Sequence, residues 1–343
     1  MLLGHEKTSF LNLPTPIDYL KNISEDLGVD FYLKRDDLTL LGTGGNKLRK
    51  LEYFLKDAKD KGATMLITEG GAQTNHGRLT AAVAARYGLK CAIVTTDPYP
   101  GEISANLILD GIMGCDVYMV QNVKAPEGTD PRDIAMEEIA KQYEAKGETV
   151  YKIPVGGSND LGALGYYECA VEMAKQTQEL EIADPHIFVT VGSMGTYIGL
   201  AAAQLNEKLP FRLTGIAIEP FPNGATKEAL EYYNGVKDFF GLTYEAKEDD
   251  FDINCDYDRG AYNNPVKEVR EAIYYAGRKE GIILDPCYTG KTFAGVLDMA
   301  RSGLIEKGEK VLMIHTGGIP GIYTKHHRVE FEKELMPYIH IVK

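Results

Sequence analysis

Basic residues are scarce in this chain: 37 Lys and Arg stand against 50 Asp and Glu, a formal net charge of −13. Nucleic acids and anionic membrane surfaces are bound by clustered Lys and Arg, so neither is an expected partner, and any anionic ligand must be captured locally. Cysteine is sparse too. Cys91, Cys115, Cys169, Cys255 and Cys287 are odd in number and contain no C-x-x-C pair. That opposes a disulfide framework and a zinc or other metal site, and it fits a reducing cytoplasm. No stretch approaches the ~20 consecutive apolar residues of a membrane span. The start, Met1 to Lys7, has no long apolar segment of a secretory signal. Internal repeats, low-complexity tracts and long linkers are absent as well.

What is present reads as an α/β protein. A chain of 343 residues, 44% hydrophobic and 25% charged, suits two domains or one large α/β unit. Short apolar runs at 65–68, 91–96, 116–120, 150–154, 187–191, 213–218 and 311–315 predict strands buried on both faces. Amphipathic stretches at 46–61, 74–87, 103–113, 131–145, 161–176, 196–205, 265–280 and 291–301 predict helices between them. Strand and helix in alternation imply parallel βαβ units, hence open, mostly parallel twisted sheets with helices on both faces. The turn Gly156-Gly157-Ser158-Asn159 interrupts that rhythm and is a plausible crossing point between two lobes. The polar stretch 244–264 follows neither period and reads as a long loop or lid.

Five segments carry chemistry. In Thr43-Gly44-Gly45-Asn46-Lys47-Leu48-Arg49-Lys50, Lys47 follows a glycine turn and opens a helix. The positive helix end disfavours its protonated form and suits an amine that captures an aldehyde. Alone, such a lysine would more often be a solvated surface residue. Thr190-Val191-Gly192-Ser193-Met194-Gly195-Thr196 joins a strand to a helix and aims backbone N–H groups and hydroxyls at one point, a cradle for an anion. Its G-x-x-G-x-x-x-G spacing departs from the dinucleotide fingerprint and suits a monophosphate. Gln73-Thr74-Asn75-His76 opens another helix, where Thr74 and Asn75 can cap and the free N–H groups can hold a carboxylate. Asp285 to Lys291 and His315 to Gly321 follow apolar runs, and ligands of open α/β sheets bind at such strand ends.

Together with Leu13-Pro14-Thr15-Pro16 and Lys34-Arg35-Asp36-Asp37, these segments occur in the order and at spacings similar to those of one family. Over nearly its whole length the chain resembles the 1-aminocyclopropane-1-carboxylate deaminase and D-cysteine desulfhydrase family, within the tryptophan-synthase-β-like pyridoxal-phosphate enzymes. The resemblance implies pyridoxal 5′-phosphate as cofactor and Lys47 as the lysine that binds it covalently and moves the Cα proton. It places Asn75 on the cofactor's 3′-oxygen and Gly192, Ser193, Met194, Gly195 and Thr196 around the phosphate. Thr316 would face the pyridine nitrogen, where a neutral hydroxyl tempers the electron sink in favour of elimination. Gln73 and Thr74 would lie near the substrate carboxylate, and Tyr262, Tyr288 and Thr289 beside the substrate. A homodimer is implied, as is a larger domain of 1–48 plus 159–343 with a smaller one of 49–158.

Three positions bear on the comparison with the family pattern. Thr74 replaces a family serine, adding a methyl group while retaining a hydroxyl. Thr289 stands where the cyclopropane-opening deaminases carry glutamate and the desulfhydrase-like members carry threonine. Cys287 replaces a small aliphatic residue and reads as a packed hydrophobe. The expected activity is β-elimination from a small amino acid, foremost D-cysteine to pyruvate, sulfide and ammonia. The alternatives are 1-aminocyclopropane-1-carboxylate deamination, L-cysteate, β-chloroalanine or serine-like elimination, and, from another class, a catalytically silent amino-acid-binding protein.

Overall fold

The computed structural model describes residues 1–96, 103–121, 125, 126, 128–264 and 266–342. In chain order the elements are β1 (Ile17–Tyr19), α1 (Lys21–Leu27), β2 (Asp30–Lys34), α2 (Lys47–Asp60), β3 (Met65–Gly70), α3 (Asn75–Tyr87) and β4 (Lys90–Thr96). There follow α4 (Ala105–Ile112), β5 (Asp116–Val120), α5 (Pro131–Glu144), β6 (Val150–Ile153), α6 (Asp160–Glu179), β7 (His186–Val191), α7 (Gly195–Glu207) and β8 (Arg212–Ala217). The rest comprises α8 (Ala225–Phe240), β9 (Asp252–Asn254), α9 (Lys267–Glu280), α10 (Thr289–Ser302), β10 (Lys310–Ile314) and α11 (Lys325–Leu335).

The strands form two sheets. One has the order β1-β2-β10-β7-β8-β9 and the other β5-β4-β3-β6. Every pairing is parallel except β1 with β2. Strand residues alternate between two cores, as a period of two requires when both faces are covered. On the larger sheet Ile187, Val189 and Val191 pack toward α6, α7 and α8, while Phe188 faces α9 and α10. On the smaller sheet Leu66 and Ile93 face α2 and α3, whereas Met65, Ile67 and Val94 face α5. Both sheets are therefore the middle layer of a helix–sheet–helix sandwich, in agreement with the expected α/β class.

All seven strand expectations fall on observed strands. The short β1, β2 and β9 and the helices α1, α8 and α11 escape the sequence reading, and β9 interrupts the stretch expected to be a loop. Of the helix expected at 265–280, Pro265 lies outside the described residues and the remainder is α9. No helix among the described residues is long and apolar enough to cross a membrane.

A buried ionic network locks α2 to the larger sheet. Arg49 donates to Asp36 through Nε and Nη2, both at 2.8 Å, and to Glu172 through Nη1 and Nη2, both at 2.9 Å. Lys34 Nζ also meets Glu172 at 2.5 Å, and Thr15 Oγ1 donates to Asp36 at 2.8 Å. Arg49, Lys34 and Asp36 are fully buried, so the charges hold one another in place with little competition from water. The Thr15, Lys34-Arg35-Asp36-Asp37 and Arg49 motifs thus position the first turn of α2, which carries Lys47.

Candidate active site

A cleft of about 400 Å³ opens where the C-terminal ends of β3, β7, β8 and β10 converge. This is the position expected of a ligand site in parallel α/β sheets. Its wall includes Lys47, Thr74, Asn75, Gly192, Ser193, Met194, Thr196, Tyr262, Tyr288 and Thr316. Residues separated by as much as 270 positions in the chain, Asn46 and Thr316, are thus gathered around one space.

Lys47 opens α2, as the glycine turn predicts. Gly44 has φ +74°, and a Cβ there would lie 2.2 Å from the Asp37 carbonyl oxygen, so only glycine allows this approach. Asn46 N–H donates to the Thr316 carbonyl at 3.1 Å, and Asn46 Nδ2 to Thr196 Oγ1 at 2.9 Å. The lysine turn is thereby tied to both large-sheet loops. Burial lowers the Lys47 amine to about 8. Burial, which disfavours the charged form, and not the helix end is what shifts this amine, and the consequence is the one expected: much of it is neutral near pH 8.

The anion cradle is built at the start of α7. Met194 adopts φ +55°, which turns the chain from β7 into the helix. A Cβ on Gly195 would lie 2.7 Å from Lys50 Nζ, 2.7 Å from Ser158 Oγ and 2.9 Å from the Tyr232 hydroxyl. Gly195 does not itself line the cleft, whereas its neighbours Met194 and Thr196 do. Ser158 and Ser193 share a hydrogen bond of 2.8 Å. Lys50 is fully buried and donates only weakly, to the Gly156 carbonyl at 3.2 Å and Ser158 Oγ at 3.3 Å. Burial and the nearby Lys47 charge push its amine well below its ordinary value, and no carboxylate pairs with it among the described residues. A buried amine beside a glycine turn and three hydroxyls is chemically incomplete without an anion, and a phosphate fits it. Lys50, Ser158 and Tyr232 were missed in the sequence, although Lys50 lies three residues from Lys47 and therefore shares its helix face.

On the opposite wall, Thr74 caps α3, accepting from Gly77 N–H at 3.1 Å. The Tyr262 and Tyr288 hydroxyls hydrogen-bond each other, with rings edge-to-face at 5.7 Å. Desolvation raises the Tyr288 phenol well above its usual value, keeping it a proton donor. Two expected substrate residues stand elsewhere. Gln73 points away from the cleft, its Oε1 accepting from Asn106 N–H at 3.2 Å and Thr324 Oγ1 at 2.9 Å. Thr289 is fully buried, and its hydroxyl donates to Asp285 Oδ1 at 2.7 Å. Neither lines the cleft: Gln73 braces the Thr74–Asn75 turn, and Thr289 braces the turn carrying Tyr288. The sequence reading missed the lining residue Glu219 and the ion pair Asp130–Arg132, in which Arg132 Nε donates at 3.0 Å, and it took as structural His76, which is buried and also lines the cleft.

The family model described as pyridoxal-phosphate dependent enzyme matches residues 8–317. A Pyrococcus horikoshii protein provisionally named 1-aminocyclopropane-1-carboxylate deaminase is 41% identical over 94% of this chain and 95% of its own. D-cysteine desulfhydrase of Salmonella typhimurium is 36% identical over 94% of this chain and 97% of its own. The crystal structure of an ACC deaminase homologue superposes with a TM-score of 0.84 at 37% identity, covering 98% of each chain. The chain belongs to the pyridoxal-phosphate-dependent enzymes and, within them, to the 1-aminocyclopropane-1-carboxylate deaminase and D-cysteine desulfhydrase family.

Proposed function

We propose that this enzyme eliminates the β-substituent of a small amino acid, with D-cysteine yielding pyruvate, sulfide and ammonia. The observation that carries the choice is the surroundings of Tyr288. The next residue, Thr289, commits its hydroxyl to the buried Asp285, so no acid follows the tyrosine where ring-opening relatives would carry one. Bound pyridoxal phosphate supplies an electron sink for the pair left at Cα. Lys47, neutral above about pH 8, takes the Cα proton. The Tyr262–Tyr288 pair gives a proton to the departing sulfur as the C–S bond breaks with its electron pair on sulfur. Lys50 and the Gly192–Thr196 turn would hold the phosphate of the cofactor, while Asn75 and Thr316, which also line the cleft, would hold its ring. The released enamine then hydrolyses to pyruvate and ammonia.

The names of the Pyrococcus relatives favour a second reading, 1-aminocyclopropane-1-carboxylate deamination. A silent binding protein is the weakest reading, because binding alone has no use for an amine placed, as Lys47 is, to move a proton. The test is product stoichiometry: sulfide and pyruvate should appear from D-cysteine in equal amounts and be lost in Lys47→Ala. Wild-type enzyme that changes cofactor absorbance with D-cysteine yet releases no pyruvate would contradict the proposal.

A further inference from the structure

An asparagine that meets a ligand can present either end of its amide, oxygen or NH2, and something must choose. The atom of the Asn75 side chain that faces away from the cleft lies 3.0 Å from Asn106 Nδ2 and 3.3 Å from Arg78 Nη2. A guanidinium only donates, so the Asn75 atom it meets must be the oxygen. Asn106 imposes the same choice independently. Its Nδ2 also donates to the Gln73 carbonyl at 2.9 Å, and a carbonyl only accepts, so this end of Asn106 is the NH2 group. Two donors therefore converge on one oxygen. Half a turn of the Asn75 amide would set its own NH2 against both.

Asn106 is fully buried in the first turn of α4 and does not line the cleft. The same turn clasps the loop before Asn75 at further points. Asn106 N–H donates to Gln73 Oε1 at 3.2 Å, and Ser104 Oγ donates to the Ala72 carbonyl. Arg78, also buried, bonds Thr43 Oγ1 at 2.7 Å and the Gly42 carbonyl, which joins the Asn75 turn to the segment leading into Lys47. Buried hydrogen bonds of this kind define a single side-chain arrangement, because the alternatives leave donors unsatisfied.

We propose that Asn106, with Arg78, is a positioning residue that fixes the Asn75 amide with its NH2 toward the cofactor's ring oxygen. The inference rests on the reading that Asn75 meets that oxygen. Asn106→Asp keeps the shape and replaces the donor by an acceptor, which invites the Asn75 amide to turn. Pyridoxal phosphate should then bind at least tenfold more weakly, and the long-wavelength absorbance of the bound cofactor should shift. Asn106→Ala should act in the same direction but less, since Arg78 still holds the oxygen, and it decides the matter if the aspartate variant does not fold. In an Asn75→Ala background either change should alter binding less than twofold. Unchanged dissociation constant and spectrum in a folded Asn106 variant would overturn the proposal, as would an equal loss in the Asn75→Ala background. If Asn75→Ala itself leaves the spectrum unchanged, the contact with the ring oxygen is what fails, and the two failures are told apart.

Discussion

Replacing Lys50 by methionine should move cofactor affinity and apoprotein stability in opposite directions. The Lys50 amine is fully buried, meets only a carbonyl and a hydroxyl beyond 3 Å, and has its proton affinity driven well down by burial and by Lys47. Without an anion it is a net cost to folding, since an ionisable group has been taken out of water without a counter-charge. Methionine keeps the length and removes that cost, a gain of ~1 kcal/mol, or about 1–2 °C in the apoprotein melting temperature for a chain of this size. With the phosphate present the sign reverses. Charge-assisted hydrogen bonds contribute about 1.5–3 kcal/mol, so the cofactor dissociation constant should rise roughly 10- to 150-fold. Titration of apoprotein with pyridoxal phosphate, followed by absorbance, gives the affinity, and calorimetry of the same samples gives the melting temperatures. Wild-type affinity in Lys50→Met would refute the placement of the phosphate beside Gly195. A lower apoprotein melting temperature would refute the reading of Lys50 as a buried amine that costs stability until an anion binds.

Three further outcomes are expected. Asp36→Asn should destabilise the fold by ~3–5 kcal/mol in denaturant titrations, because Arg49 loses its fully buried partner. The Arg49 charge holds the Asp36 carboxyl at about 2, below its ordinary 3.8, despite burial. Its contribution is complete above pH 3.8 and is lost as pH falls through about 2, so the variant should flatten the stability profile in that window. Tyr288→Phe should lower kcat on D-cysteine by ~10²- to 10⁴-fold with little change in cofactor affinity; near-wild-type turnover would reduce this residue to packing. The rate at which apoprotein captures pyridoxal phosphate should rise with pH through about 8, where the buried Lys47 amine loses its proton, and a flat profile would count against that assignment.

Much of the fold was legible because five of the seven expected strands are apolar runs buried on both faces, such as Ile187–Val191, for which local pattern and tertiary environment agree, whereas β5 and β6, the edges of the smaller sheet, are partly exposed and depart from the burial expected of them. β2 was hidden for the opposite reason. Its Lys34 is charged yet fully buried, and the partner that permits this, Glu172, lies 138 residues away. The cleft followed from loops at strand ends, whose glycines and hydroxyls announce close backbone approach. Side-chain direction did not follow. Thr289 and Gln73 sit beside true cleft residues in sequence, but Asp285 and Asn106 draw them outward through contacts that no local motif encodes. Lys50 was within reach through its spacing from Lys47, whereas Tyr232 and Ser158 become neighbours of Gly195 only through the packing of α6, α7 and α8.

The central claim, elimination in preference to ring opening, is tested most directly by steady-state kinetics on one preparation with two substrates. Pyruvate is measured from D-cysteine and α-ketobutyrate from 1-aminocyclopropane-1-carboxylate. With Thr289 bound to Asp285 and no acid following Tyr288, kcat/KM should be higher for D-cysteine. A higher kcat/KM for the cyclopropane substrate would contradict the assignment.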